Sequence, residues 1–144
     1  MAHSKATIVL VTGAWHPSSA YEDLIALLEK AGYPVLVTTL PSLNPKDPSG
    51  CDCTSDAASV REQFLPTIEE GKDVIVLCHS YGGIPAGGAA RGLSKSVRMK
   101  QGDKGGVVGL IYLSAFVVPE GMSLVDYLGG RHPPYVIFNK VRRE

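Results

Sequence analysis

Four short apolar runs alternate with segments of helical periodicity along the 144 residues of the chain. Thr7-Ile8-Val9-Leu10-Val11-Thr12 is a continuous, mostly β-branched run closed by Gly13, the pattern of a strand covered on both faces. Ser19-Ala20-Tyr21-Glu22 then reads as a capping box, with Leu24, Leu27, Leu28 and Ala31 at helical spacing and Gly32 as the stop. Val35-Leu36-Val37-Thr38 is a second strand, and the three prolines and one glycine between Pro41 and Cys53 mark a long loop. A second helix is predicted from about Ser55 or Asp56 to Glu70, burying Val60, Phe64 and Ile68 and kinked at Pro66.

The second half of the chain repeats this grammar. Asp73-Val74-Ile75-Val76-Leu77-Cys78 is the third strand and Gly83 to Leu93 a glycine-rich helical segment. Ser94 to Gly106 reads as a polar connection, Val107 to Leu113 as the fourth strand, and Ser123-Leu124-Val125-Asp126 opens a short helix that Gly129-Gly130 ends. Strand and helix in strict alternation predict a three-layer α/β sandwich around a parallel sheet of about four strands. Ligands of such sheets sit beyond the carboxyl ends of the strands. That singles out three loops: Gly13 to Ser19, His79 to Gly83 and Ser114 to Gly121.

Composition removes other classes. With 14 basic and 14 acidic residues the formal charge is zero, which disfavours nucleic-acid or anionic-membrane partners. The longest apolar stretch, Val107 to Val118, falls short of the roughly 20 residues a membrane span needs, so a soluble protein is expected. Three cysteines make no disulfide framework and fit a reducing compartment, with the cytoplasm as the default. Cys51-Asp52-Cys53 lacks a second Cys/His pair at ligand spacing and reads as loop, so no metal is expected. Neither a dinucleotide fingerprint nor a P-loop is present.

The sharpest chemical signal is Cys78-His79-Ser80-Tyr81-Gly82-Gly83, which follows a buried strand and opens a glycine-rich helix. A nucleophile elbow has the form small-x-Ser-x-Gly because the serine sits on a strained strand-to-helix turn that passes close to neighbouring backbone. Here Cys78 and Gly82 fill the small positions, Ser80 is the candidate nucleophile, and the Tyr81 amide lies where it can stabilise an oxyanion. The plainer alternative is a serine that only caps a helix. A second amide is expected from the loop after the first strand, where Gly13 lets Ala14 turn toward the site. Trp15 and His16 would line the entrance, although Trp15 also reads as core packing and His16 as a solvated loop residue. His79 should point away from the site, in a packing or hydrogen-bonding role.

Taken together, these stretches resemble the α/β-hydrolase superfamily, in particular the branch of plant methylesterases and hydroxynitrile lyases with fungal relatives. The likeness is carried by Ile8 to His16, by Leu27 to Val35 with its Ala31-Gly32-Tyr33-Pro34 helix exit, by Val76 to Gly83, and by Leu110 to Gly121. It implies the strand order second, first, third, fourth, and Ser114 near the substrate. It also implies a serine hydrolase acting on a small ester, lactone or polyketide-like metabolite without a cofactor, with a place in secondary metabolism. The family usually has His-Gly where this chain has Thr12-Gly13, which changes the loop hydrogen bonding. In this fold the triad runs Ser, acid, His, with the acid and His on loops after later strands.

Residues 1–130 therefore read as the N-terminal part of a hydrolase domain, and 131–144 as a divergent tail. His132 is the one downstream histidine and the candidate local base. The alternative is a catalytically incomplete truncated product or a non-catalytic binder of small ligands. Two sheet edges left open predict self-association.

Overall fold

The computed structural model describes residues 5–134 and 136. Four strands, β1 (Thr7–Val11), β2 (Val35–Thr38), β3 (Asp73–His79) and β4 (Gly106–Leu113), form one all-parallel sheet in the order β2-β1-β3-β4. This is the predicted sheet and the implied order. Parallel pairing forces each connection to cross over a face, and the helices that do so are α1 (Glu22–Lys30), α2 (Cys53–Glu69), α3 (Gly83–Ala90) and α4 (Lys95–Lys100). A four-residue helix, α5 (Leu124–Tyr127), follows the sheet.

The period of two in the strands sorts their side chains between two cores. Val9 and Val11 of β1 and Val74, Val76 and Cys78 of β3 face α2 and α3, meeting Val60, Phe64, Ile68, Ala86 and Ala89. Ile8 and Leu10 with Leu77 face the other way, onto Tyr21 and the α1 residues Leu24, Ile25 and Leu28. Three layers result, the central one buried on both sides as the unbroken β-branched runs require. The small residues of α3 allow close approach to α2: a Cβ on Gly88 would stand 3.0 Å from the Ala57 methyl. Arg61 ties the pair from the side, its Nη1 donating to the carbonyls of Ala89 at 3.0 Å and Arg91 at 2.7 Å where α3 ends.

Local corrections concern helix starts. No capping box forms at Ser19: residues Ser18–Tyr21 make a 3-10 turn, and Tyr21 stands at the N-cap of α1 with no side-chain hydrogen bond. The Tyr21 ring is needed in the core, and its burial decides the geometry. Helix α2 begins earlier than predicted, at Cys53, because Asp52 accepts from the amides of Thr54 and Ser55 while Ser55 Oγ receives the Asp52 N–H. It continues through Pro66 to Glu69. Helix α3 stops at Ala90, short of Leu93. The expected polar connection contains α4, capped by Ser94, whose Oγ accepts from Val97 N–H. The box at Ser123 and Asp126 forms as read.

The fourth strand is the more exposed edge. Val108, Leu110, Ile111 and Leu113 are each between 41% and 48% accessible. Val108 is the residue bulged out where the register shifts, since Val74 pairs with Val107 and Ile75 with Gly109. No helix among the described residues is long and apolar enough to cross a membrane. Nor do those residues include a group of three or more His, Cys, Asp or Glu able to hold a metal ion. Most of the tail expected at 131–144 lies outside the described residues.

Candidate active site

At the carboxyl end of β3 the chain turns sharply into a 3-10 turn, Ser80–Gly82, and then α3. Ser80 has φ 51°, a left-handed conformation that costs an L residue roughly 1–2 kcal/mol. Its surroundings hold it there. A Cβ on Gly82 would lie 2.5 Å from the Thr12 carbonyl oxygen and 2.7 Å from that of Val11. On Gly83 it would lie 2.3 Å from the Phe116 carbonyl oxygen. Only glycine lets the turn press against the end of β1 on one side and the loop after β4 on the other. The Phe116 N–H donates to the Ser80 carbonyl at 3.0 Å, fastening that loop to the elbow.

The loop after β1 abuts the same point. A Cβ on Gly13 would approach the Ser80 Cβ to 3.1 Å, so Gly13-Ala14 runs alongside the serine. His16 N–H donates to the Gly13 carbonyl at 3.2 Å, and Trp15 takes φ 61° to complete the turn. His16 Nδ1 donates to the Ala14 carbonyl at 2.7 Å. Among the described residues the Ala14 N–H has no hydrogen-bond partner. Beneath the loop, the Tyr21 hydroxyl accepts from Gly13 N–H at 2.9 Å and pairs with His79 Nδ1 at 2.8 Å. His79 thus has the hydrogen-bonding role expected of it, and His16, Tyr21 and His79 meet edge to face.

The remaining predicted site residues are exposed. Trp15 is 68% exposed, so its alternative reading as core packing is overturned: the positive φ that closes the turn aims the indole outward. Ser114 is exposed at the end of β4 with φ 44°. His132 is exposed beyond α5. A groove of about 640 Å³ opens between α2, α3 and the loop after β4, lined in part by Ala57, Ile84, Gly87, Val117 and Met122. It borders Gly83 and does not reach Ser80.

Sequence reading missed Asp56. It lies in the stripe Asp56, Val60, Phe64, Ile68, all wholly buried on α2. Its carboxylate accepts from the Ser42 N–H at 2.9 Å, the Ser42 hydroxyl at 2.7 Å and the Tyr81 hydroxyl at 2.8 Å. An acid four residues before Val60 on the apolar face was the available signal. The Tyr81 phenol is held far above its usual range, chiefly by burial and then by the hydrogen bond and charge of Asp56. Burial likewise pushes the Cys78 thiol up to about 11, with its Sγ donating to the Ile111 carbonyl at 3.3 Å.

This chain is similar to known proteins. The chain is 36% identical over 132 residues to the alpha/beta hydrolase nvfD of Aspergillus novofumigatus, covering 92% of this chain and 52% of that protein. It is 34% identical over 132 residues to the carbendazim hydrolyzing esterase of a Nocardioides species, covering 91% and 50%. It spans about half the length of these relatives. Among solved structures, polyneuridine aldehyde esterase superposes with a TM-score of 0.66 at 21% identity, over 90% of this chain and 49% of that one. An extracellular alpha/beta-hydrolase from a Paenibacillus species gives a TM-score of 0.63 at 22% identity, over 85% and 46%. Residues 8–142 match the model of the alpha/beta hydrolase family, to which this chain belongs.

Proposed function

We propose that the chain carries the nucleophile half of a serine hydrolase acting on a small ester, lactone or polyketide-like metabolite. The single observation behind this reading is Ser80 at φ 51° on a strand-to-helix turn that two glycines press against neighbouring backbone. A serine that merely capped a helix would sit in extended backbone and need no such packing. In the proposed reaction Ser80 Oγ bonds to the ester carbonyl carbon, and the carbonyl oxygen takes up the negative charge. The amides of Ala14 and Tyr81 receive that charge, the alcohol departs with a proton, and water later releases the acid.

This chemistry uses a side chain and backbone amides and calls for no metal or organic cofactor. Trp15 and His16, on the loop after β1, and Ser114, on the loop after β4, are assigned to substrate contact. His132, the one histidine downstream of Ser80, is the residue to test as a local base. Relatives named as hydrolases and an esterase support the reaction class. Three free cysteines support a cytoplasmic setting.

The test is labelling by a fluorophosphonate probe. Stoichiometric labelling that disappears in Ser80→Ala is expected; absence of labelling in a sample shown to be folded would remove Ser80 from the nucleophile role. A second reading, a catalytically incomplete form that binds a small apolar ligand, is favoured by the half-length match to the relatives. It predicts ligand binding undiminished by Ser80→Ala.

A further inference from the structure

Tyr81 supplies two groups to two places. Its N–H belongs to the residue after Ser80, at the proposed oxyanion site, while its phenol reaches α2 and ends on Asp56 at 2.8 Å. Asp56 is wholly buried, and its oxygens also receive the N–H and hydroxyl of Ser42. Three segments distant in sequence therefore converge on one carboxylate: the loop after β2, the first turn of α2 and the elbow. A buried carboxylate is tolerated only where donors surround it, and charge-assisted bonds of this kind are about twice as strong as neutral ones.

The elbow needs such an anchor. Ser80 is held in a disfavoured conformation, and strain persists only where the surroundings over-determine it. Gly82 and Gly83 block movement toward β1 and toward the loop after β4. The Tyr81 ring, fixed at its far end on Asp56, adds a hold from the α2 side. We infer that Asp56, acting through the Tyr81 hydroxyl and braced by Ser42, is a positioning residue that holds the elbow and the Tyr81 amide in register with Ser80. The inference rests on the nucleophile reading for its catalytic meaning, but the anchoring itself stands on geometry. The phenol remains protonated, as a donor to Asp56 must, because burial and the carboxylate both oppose its ionisation.

Tyr81→Phe is the mild test, since it keeps the ring and removes the one hydroxyl. Hydrogen exchange followed by mass spectrometry on the 144-residue protein reads the anchor directly. Exchange in the segment 79–86 is expected to rise about tenfold or more, with β1 and β2 unchanged. Fluorophosphonate labelling at Ser80 should slow by about 10–100-fold, because a displaced oxyanion donor loses part of the 10²–10³ that its removal costs. Asp56→Asn has one acceptor oxygen where Ser42 N–H and the two hydroxyls occupy two, so exchange in 79–86 should rise in it as well. Unchanged exchange at the elbow in Tyr81→Phe overturns the inference, and so does a rise spread evenly over the chain, which would mark a contribution to stability alone. If the wild-type protein takes no label at all, the nucleophile reading fails while the exchange comparison still decides whether Asp56 holds the turn.

Discussion

Substituting Gly82 by alanine puts one carbon atom into a space bounded on two sides by main chain. The new Cβ would stand 2.5 Å from the Thr12 carbonyl oxygen and 2.7 Å from that of Val11, where ordinary contact begins at 3.4 Å. The nearer gap is thus about 0.9 Å short, and neither neighbour is the movable end of a side chain. Val11 is paired on both sides, with Thr38 of β2 and Cys78 of β3, so relief requires bending the centre of the sheet or shifting the elbow. Overpacking a dense interior costs about 1–3 kcal/mol, occasionally more, and two backbone obstacles place Gly82→Ala at about 3 kcal/mol or above. Against a total of about 5–15 kcal/mol this is a large share. With a urea slope of about 1–3 kcal/mol/M, the midpoint should fall by roughly 1–3 M. Gly92→Ala is the control: its Cβ would meet nothing within 4 Å, and its φ of 74° alone should cost about 1–2 kcal/mol. Urea unfolding followed by circular dichroism compares the two. A loss below about 1 kcal/mol for Gly82→Ala would mean that the elbow does not press on β1, and the packing argument for Ser80 would go with it.

Three further outcomes are expected. In the native state Cys78 keeps its proton to about pH 11, and burial raises the phenols of Tyr81 and Tyr112 as well, whereas the unfolded chain releases these protons from lower pH. The folded form then binds more protons, so urea midpoints should decline as pH climbs from about 9 to 11; Cys78→Ala should flatten this decline, and an unaltered slope would refute the assignment. The open, uncharged β4 edge should drive concentration-dependent association in sedimentation, reduced by Leu110→Lys with Leu113→Lys; a monomer at all concentrations would contradict it. Turnover of nitrophenyl acetate should be lost in Ser80→Ala, which keeps the oxyanion amides but has no nucleophile. An inflection at about pH 6–7 that vanishes in His132→Ala would show that the chain supplies its own base.

Features written locally were the legible ones. Each strand was marked by a β-branched run closed by turn residues, and the elbow by small residues two places either side of Ser80. The resemblance added the strand order. Contacts between segments far apart in sequence were not visible. Tyr21 passed for a capping-box residue because its tie to His79 spans 58 positions. Asp56 passed for a helix start because its donors, Ser42 and Tyr81, stand 14 and 25 residues away. Helix α4 was hidden by its charge: Lys95, Arg98 and Lys100 resemble a solvated loop until Lys95 Nζ is seen on Asp73, and Arg98 on Asp103 and the Gly105 carbonyl.

β1, the earliest-made strand of the described sheet, is one of its two central strands. β1 can pair with β2 early, but its other edge waits for β3, since Thr7 pairs with Val74 and Val11 with Cys78. At synthesis rates of about 5–20 residues per second that wait lasts roughly 3–13 s. Until α2 and then β3 have been made, Val9 and Val11 lack the partners that cover them. Parallel strands joined by such long crossovers are slow to assemble and exposed to aggregation meanwhile. The nascent chain should therefore engage a holding chaperone through residues 7–11 and release it once residue 79 has emerged.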